Sequence, residues 1–269
     1  LYFGTAPKPA LPDTSLLKEE KAVVEVWSYT DPMLYTQQKV QLNREKRRTY
    51  LAVWHVVQDE FTQLGDMSTP NVSLADEGNG EAILAYDDLP YLQRTSWEGG
   101  ASYRDLYWVD VKSGTKRMIE KEMKGRAQLS PKGNYAIWFN AVDTAWYTSP
   151  KMTTRSVQIT NNETVAFFDE DDDHPMLPSS YRTLGWLEDD EAVLIYDKYD
   201  IWKIDPTGTS APEKLTNGRQ DKITYRYVRL DPEERHIAPD AELLLTHFDH
   251  TTKEQGVSKL NLKTGALTA

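Results

Sequence analysis

The chain consists mainly of short runs that are either apolar or alternate between apolar and polar residues. Turns of glycine, asparagine, aspartate and proline separate these runs. One unit recurs: an alternating strand that ends in an acidic or amide residue, a turn with glycine, and a second short strand. Copies occupy 106–114, 200–208 and 257–265, and a degraded copy occupies 156–162, where Asn162 is expected to supply the positive φ. Successive turns lie 48, 46 and 57 residues apart. A period of about 40–50 residues built from short strands is typical of β-propeller blades.

A second element recurs between these hairpins: a strand, a tight turn and a nearly continuous apolar strand. It is clearest at 129–139, where Pro131 and Gly133 suit a tight turn, and it returns at 184–196 and 239–246. Nearly continuous apolar strands are expected to pack on both faces between neighbouring sheets. The sequence therefore predicts an all-β fold, a β-propeller that forms a partial ring of about four to five blades.

The predicted domain is a single propeller region over 5–269. Residues 1–4 resemble the remnant of a purification-tag protease site and are set aside from the fold, and the chain is expected to be cut from a longer protein. The predicted blades lie near 76–120, 125–168, 181–217 and 223–269, after a partial blade near 20–75.

Within the partial blade, 23–27 and 50–57 have the composition of strands. Asp31 as N-cap and Pro32 at the first helical position favour a helix that runs to about Arg48. A long insertion between two strands is an equal alternative.

Composition and charge exclude several classes of partner and site. The chain is 39% hydrophobic and 11% aromatic, which suits a strand-rich core, and it holds no apolar stretch long enough to span a membrane. A formal net charge of −11 argues against nucleic acid as a partner. The basic cluster Arg44–Arg48 is interrupted by Glu45 and is interpreted as a solvated helix end or strand edge. The absence of cysteine excludes disulfides, thiolate metal sites and a cysteine nucleophile.

Several segments resemble known propellers. The stretch QLSPKGNY at 128–135 looks like the Ser-Pro-Asp-Gly-Lys-Tyr blade signature of TolB-like and prolyl-oligopeptidase-type propellers, with Lys132 in place of the usual aspartate. Other segments resemble the propeller of bacterial prolyl oligopeptidase family proteins, including dipeptidyl-peptidase-like ones: 26–31 (VWSYTD), 37–38, 48–53 and 91–114. Together these segments extend over most of the chain from about residue 20 onward.

The resemblance implies a role as well as a fold. In that family the propeller precedes an α/β-hydrolase domain with a Ser-Asp-His triad and restricts entry to short or unstructured peptides. This chain has no Gly-x-Ser-x-Gly sequence, so no catalytic residue is assigned to it. The glutamate pairs at 19–20 and 233–234 lack the aromatic context of the pair that holds the substrate amine in dipeptidyl peptidases, so that role is not carried over.

The resemblance also suggests partners and a location. Peptide substrates and a C-terminal hydrolase domain of the same parent protein are the expected partners, with no cofactor, and the expected location is periplasmic or secreted. A partial ring leaves open blade edges, so a homodimer through these edges is a further expectation. Two alternatives stay open: a non-catalytic TolB-like propeller that binds another protein, and a propeller enzyme that acts through its own channel.

Candidate sites are few, and each has a simpler interpretation. The acidic run 169–174 (DEDDDH) offers carboxylates to a hard cation, but consecutive acids cannot all converge on one ion, so a solvated loop is expected. His247 and His250 are expected to point to opposite faces of a strand, which argues against a metal pair, and His55 to be a core or edge residue. No metal site is predicted. Asn71 and Asn162 each begin an N-glycosylation pattern, but no glycosylation is predicted from it.

The eight tryptophans recur at blade-like positions and are interpreted as packing between blades rather than as a ligand cage, with one or two left to line the channel. They are Trp27, Trp54, Trp97, Trp108, Trp138, Trp146, Trp186 and Trp202.

Overall fold

Antiparallel hairpins build almost all of the chain. The computed structural model describes residues 1–11, 14–22, 24–98, 101–163 and 165–268, and over these residues the protein is all-β, with five antiparallel sheets and few helices. The strands are β1 (Tyr2–Thr5), β2 (Tyr50–His55), β3 (Glu60–Gln63), β4 (Asn71–Ser73), β5 (Ala82–Asp87), β6 (Tyr103–Asp110), β7 (Lys116–Lys124), β8 (Gln128–Leu129), β9 (Tyr135–Asn140), β10 (Ala145–Pro150), β11 (Val157–Gln158), β12 (Thr183–Trp186), β13 (Val193–Tyr196), β14 (Ile201–Ile204), β15 (Glu213–Lys214), β16 (Ile223–Tyr227), β17 (Glu242–Asp249), β18 (Gln255–Asn261) and β19 (Leu267–Thr268). The α-helices are α1 (Tyr35–Glu45), α2 (Leu92–Glu98) and α3 (Gly218–Asp221).

Each sheet is a meander in chain order. The first sheet has the order β1-β2-β3, and the next four are β4 to β7, β8 to β11, β12 to β15 and β16 to β19. Every strand therefore pairs with a strand close to it in the chain, except that 44 residues (6–49) separate β1 from β2. Such local pairing is the simplest route to an antiparallel sheet.

Apolar clusters join each sheet to the next. Leu194 and Tyr196 of the fourth sheet pack with Leu243 and Leu245 of the fifth, and every residue of β13 is buried. The other interfaces follow the same scheme, through Val53 with Ile83, Trp108 with Trp138, and Ile137 with Val193. Burial on both faces explains the continuous apolar strands and confirms that expectation. This packing of successive sheets is that of neighbouring blades.

The stack is curved. The loop between β16 and β17 in the fifth sheet places Arg235 against the loop between β4 and β5 in the second sheet, where Asp76 Oδ1 lies 3.0 Å from Arg235 Nη1 and Glu77 also pairs with it. Asp76 and Glu77 both have left-handed backbones, with φ of 44° and 52°. Because two sheets separate the loops in the chain, their contact requires the sheets to be arranged around an axis near β4, β8 and β12.

The repeated hairpin turns have the predicted chemistry. The carboxylate of Asp110 accepts hydrogen bonds from the backbone N–H (2.7 Å) and the hydroxyl (2.8 Å) of Ser113, and the Asn261 side chain accepts bonds from two backbone N–H groups in the same way. Gly114 and Gly265 both have φ of 70°. The degraded copy of this hairpin does not lie at 156–162, where the sequence predicts it. Asn162 is not left-handed, and the equivalent turn of the third sheet lies between β10 and β11, where Met152 has φ of 58°.

The Ser-Pro-Lys-Gly turn is held by the next sheet. Asp190, which is 2% exposed, accepts hydrogen bonds from Ser130 Oγ (2.7 Å) and from the backbone N–H groups of Lys132 (3.1 Å) and Asn134 (3.2 Å). Gly133 has φ of 74°, and a Cβ there would lie 2.8 Å from the Ala75 Cβ of the second sheet. One turn thus ties three sheets together.

Three expectations for the N-terminal part were wrong. Residues 24–27 form no strand, and Val23 lies outside the described residues. Asp31 does not cap a helix, because α1 begins at Tyr35 and Asp31 instead accepts a hydrogen bond from Gln38 (3.2 Å). Residues 1–4 are not separate from the fold. Strand β1 pairs in register with β2, and the Tyr2 hydroxyl donates to the Gly78 carbonyl (3.0 Å).

Replacing Asp190 tests the connection between sheets. Asp190→Ala removes a buried acceptor and leaves Ser130 Oγ and two N–H groups unsatisfied. We expect a loss of roughly 3 kcal/mol in the free energy of unfolding, since each unsatisfied buried donor costs about 1–3 kcal/mol. Urea denaturation measures this. Glu191→Ala at the exposed neighbouring position is the control and should change stability by less than about 0.5 kcal/mol. Equal effects of the two changes would contradict the assignment.

The turn after β14 predicts a pH dependence. Burial alone would raise the pKa of Asp205, but the hydroxyls of Thr207 and Thr209 and two backbone N–H groups outweigh it and hold this pKa well below the usual range. The stabilisation is therefore complete above the unfolded value of about 3.9 and decreases as the pH falls towards the folded pKa. Urea unfolding at pH 5 and pH 3 should show a steeper loss in the wild type than in Asp205→Asn. Asp240→Asn, at an exposed position, should behave like the wild type.

Candidate functional site

A cleft of about 620 Å³ opens where the second, third and fourth sheets meet. It is bordered by the connection from β7 to β8, by the hairpin of β9 and β10, and by the loop that leads into β12. Its apolar lining includes Ile137, Phe139, Trp146, Met176 and Leu177. Apolar surface with a few converging polar groups is the usual composition of a ligand site.

The charged groups of the cleft are all cations. Lys124, Arg126 and Arg182 line it, and none of the described carboxylates does, although the whole chain carries a net charge of −11. The Lys124 ammonium lies 3.6 Å from Glu98 and 5.0 Å from the centre of the Tyr103 ring. In contrast, the exposed side chains of Arg126 and Arg182 make no ion pair or hydrogen bond within the described ranges. Two uncompensated guanidinium groups therefore face the cleft.

Backbone conformation fixes the position of Arg182. It has φ of 75°, a left-handed conformation that an arginine adopts only at a cost of about 1–2 kcal/mol. Two hydrogen bonds hold it there: its N–H donates to Ser180 Oγ (3.3 Å), and its carbonyl accepts from the N–H of Tyr196 (3.2 Å). Strained residues that neighbouring structure holds in place are concentrated at functional sites.

Trp146 lines the cleft and carries a buried indole N–H group. The residue is 7% exposed and its ring lies 5.6 Å from that of Phe139. Its indole Nε1 is buried and has no hydrogen-bond partner in the part of the chain that the structure describes. A buried donor without an acceptor costs about 1–3 kcal/mol. Because this atom is buried, the groups that the cleft presents to a ligand are its apolar lining and the arginines.

The acidic run 169–174 lies in the loop between β11 and β12 and pairs with nearby cations. Glu170 accepts two hydrogen bonds from Arg219 (2.9 and 3.2 Å), and Asp171 lies 2.8 Å from Lys198. His174 hydrogen-bonds Asp172 (2.5 Å) and lowers the pKa of that carboxyl. Ligand atoms of 172–174 lie within 4.8 Å of one another, but two of the three residues are exposed and no fourth ligand from the described ranges joins the group. We assign no metal to this loop.

The histidines have separate partners. His247 Nδ1 lies 2.7 Å from Ser258 Oγ, whereas His250 Nε2 lies 2.8 Å from the Thr224 hydroxyl. The structure does not bring the two rings to a common site. His55 ends β2, where its ring lies 3.3 Å from the Thr62 hydroxyl.

The tryptophans fall into two groups. Those in the clusters between sheets are Trp108, Trp138, Trp146, Trp186 and Trp202, and this agrees with the packing interpretation. The interpretation is wrong for Trp27 and Trp97, which are 67% and 86% exposed, and Trp54 is also exposed.

An aromatic surface lies at the same sheet end as the cleft. Trp97 belongs to α2, in the loop between β5 and β6, and this end of the second sheet is also where β7 leads into the cleft. Tyr29 and Trp27 lie against this loop, and Gln93 Nε2 donates to the Tyr29 carbonyl (3.4 Å). Hydrogen bonds from Tyr103 and Arg94 hold the pKa of Glu98 in α2 below its usual value. We name the exposed rings of Trp27, Tyr29 and Trp97 the aromatic surface.

Sequence reasoning missed the cationic cleft. Arg126 lies two positions before β8, and Arg182 lies directly before β12. Both precede the first strand of a sheet, and that common position is the one signal in the sequence that relates them. None of the described helices has the length and hydropathy that crossing a bilayer requires.

No family model and no curated protein matches this sequence. Solved structures do match it, at low identity. TolB from Acinetobacter baumannii is 14% identical with a TM-score of 0.38, over 82% of this chain and 48% of that one. Dipeptidyl peptidase 4 from Porphyromonas gingivalis is 8% identical with a TM-score of 0.48, over 82% and 36%. A puromycin-hydrolyzing peptidase from Mycobacterium tuberculosis is 12% identical with a TM-score of 0.35, over 82% and 40%.

These similarities include TolB and two peptidases, but TM-scores below 0.5 carry no argument about function. The chain spans about half the length of the TolB structure. What the fold and the cleft define is a class: an all-β protein of successively packed sheets with a cationic, apolar cleft at one end of them.

Removing the strain at Arg182 is a test of the site's local structure. Arg182→Gly should raise the free energy of unfolding by about 0.5–1 kcal/mol, because glycine adopts a positive φ without the steric cost. Arg155→Gly is the matched control. Arg155 is an exposed loop arginine without a left-handed φ, so its replacement should lower stability by about 0.4–1 kcal/mol. Thermal and urea unfolding measure both, and a destabilised Arg182→Gly would show that the conformation is not strained.

Proposed function

We propose that this chain is the propeller portion of a prolyl-oligopeptidase-type serine peptidase, and that it admits and orients peptide substrates for a hydrolase domain outside the chain. The five sheets are then blades, with the first incomplete. The Ser-Asp-His triad belongs to the hydrolase domain, since this chain has no Gly-x-Ser-x-Gly sequence. A periplasmic or secreted location belongs to the same proposal.

The cleft is the observation that carries the proposal. A peptide in extended form offers carbonyl oxygens along its backbone and apolar side chains between them. The cleft offers two uncompensated arginines, whose N–H groups can donate to such oxygens, and an apolar lining that includes Leu177. Its volume of about 620 Å³ lies within the roughly 300–1,000 Å³ typical of small-ligand sites. A few residues of an unstructured peptide fit these dimensions, whereas a folded protein does not.

The position of the cleft supports the gating role. It opens at the sheet end that also carries the aromatic surface. Exposed apolar rings on this face suit contact with another domain. A hydrolase domain docked there would receive peptides that had passed through the cleft. The outer faces of the first and fifth sheets remain available for further blades or for a second copy of the chain, as in the homodimer expected from the sequence.

A non-catalytic TolB-like module that binds another protein is the second candidate. The aromatic surface favours it, because Trp97 and Tyr29 are 86% and 94% exposed and aromatic residues are enriched at protein interfaces. In this case the cleft has no role in peptide binding. The two candidates therefore differ in what a change in the cleft should do.

Peptide binding to the purified chain tests the proposal. Fluorescence anisotropy with short labelled peptides should detect binding, and Leu177→Asp should weaken it about tenfold or more, because an apolar contact of the lining is replaced by a charge. Leu230→Asp is the matched control. Leu230 is 74% exposed in the loop between β16 and β17, so affinity should not change.

Three outcomes would contradict the proposal. Peptides that bind equally to the wild type and to Leu177→Asp, or do not bind at all, would favour the TolB-like alternative. Cleavage of fluorogenic peptides by the chain alone would show that it carries its own catalytic groups, as in the propeller enzyme considered from the sequence.

A further inference from the structure

We propose that the cleft recognises a peptide carboxylate next to an apolar side chain, with Arg126 and Arg182 as the binding cations. The inference rests on the proposed function, because it specifies which peptides the cleft takes. Among the described arginines, Arg48, Arg94, Arg219 and Arg235 pair with carboxylates. Arg126 and Arg182 do not, and neither do several others, such as Arg155. What separates Arg126 and Arg182 from the other unpaired arginines is that both border the apolar cleft.

The surroundings of the arginines favour a carboxylate over other ligands. Among the residues that the structure describes, no acidic side chain lines the cleft, so an anion entering it meets no like charge from them. The third cation, Lys124, is already paired with Glu98, which leaves the guanidinium groups as the free charges. A guanidinium presents N–H groups in a planar fork that matches the two oxygens of a carboxylate.

The apolar lining determines what stands beside the carboxylate. Phe139, Met176 and Leu177 border the same space as the arginines. Burial of an apolar side chain against them excludes water, and the attraction between guanidinium and carboxylate is stronger where water is excluded. A small hydrophilic anion such as inorganic phosphate lacks this contact. A peptide that ends in an apolar residue supplies both parts, and so does one with a glutamate next to an apolar residue.

The strained backbone of Arg182 also supports the binding of a carboxylate in the cleft. Its left-handed backbone, held by Ser180 and Tyr196, fixes where the side chain leaves the loop. Gly125, with φ of 125°, sets the chain direction directly before Arg126. Both arginines therefore extend from constrained positions, and a pre-positioned group loses less entropy when a ligand binds.

Three labelled pentapeptides test the inference by fluorescence anisotropy. The first is Gly-Ala-Ala-Leu-Phe with a free C-terminus, the second is the same peptide as its amide, and the third is the amide with glutamate before phenylalanine. The first or third should bind about 10- to 100-fold more tightly than the second, as expected for a charge-assisted hydrogen bond. The peptide that binds tightly identifies the source of the carboxylate.

Variants of the cleft make the test specific. Arg126→Gln and Arg182→Gln should each weaken the carboxylate peptide about tenfold or more and leave the plain amide unchanged. Arg155→Gln, which removes an exposed arginine elsewhere, should leave all three affinities unchanged. Circular dichroism and thermal unfolding confirm that each variant is folded.

The outcomes separate the inference from the proposed function. If all three peptides bind with equal affinity, or if both arginine variants keep full affinity for the carboxylate peptide, the carboxylate inference is overturned and peptide binding stands. If none of the peptides binds, the proposed function fails and the inference falls with it.

Discussion

The requirement to bury both faces of each inner sheet organises this molecule. A four-stranded meander such as β12 to β15 has two apolar faces, and neither can remain in water. Each inner sheet therefore needs one neighbour on either side, and the chain supplies these neighbours in sequence order. The polar features are secondary to this packing. Asp190 can hold the Ser-Pro-Lys-Gly turn only because the third and fourth sheets already lie face to face.

The features that the sequence predicted correctly depend on residues that lie close together in the chain. The hairpin turns depend on one acid or amide and one glycine a few residues later, as at Asp110 and Gly114, so both partners are visible in a short window. The hairpin of β10 and β11 in the third sheet does not follow this pattern, because Met152 instead of a glycine takes the left-handed position. Residues 24–27 have the composition of a strand, but composition cannot supply a neighbouring strand to pair with. Strand β1 shows the opposite case, since its partner β2 begins 45 residues after β1 ends.

The cleft could not be predicted because none of its properties is local. Arg126 and Arg182 are 56 residues apart and come to one space only when the second, third and fourth sheets pack. Trp146 was correctly assigned to packing between sheets, but nothing in its neighbours along the chain reveals an indole N–H without an acceptor. The acidic run 169–174 is the densest charge in the sequence, yet it lies in a loop where two of its five carboxylates pair with Arg219 and Lys198. The candidate site is distinguished instead by two unpaired arginines that share an apolar cleft.

The contact between Arg235 and the Asp76–Glu77 loop has a mechanical consequence. In a series of stacked layers, small tilts at successive interfaces add up, so the second and fifth sheets can move relative to each other more than any two adjacent sheets. The ion pairs that join them are partly solvent-exposed, and exposed pairs contribute only about 0–1 kcal/mol and weaken with salt. We therefore expect higher ionic strength to weaken this contact between the second and fifth sheets while the apolar interfaces between adjacent sheets stay intact.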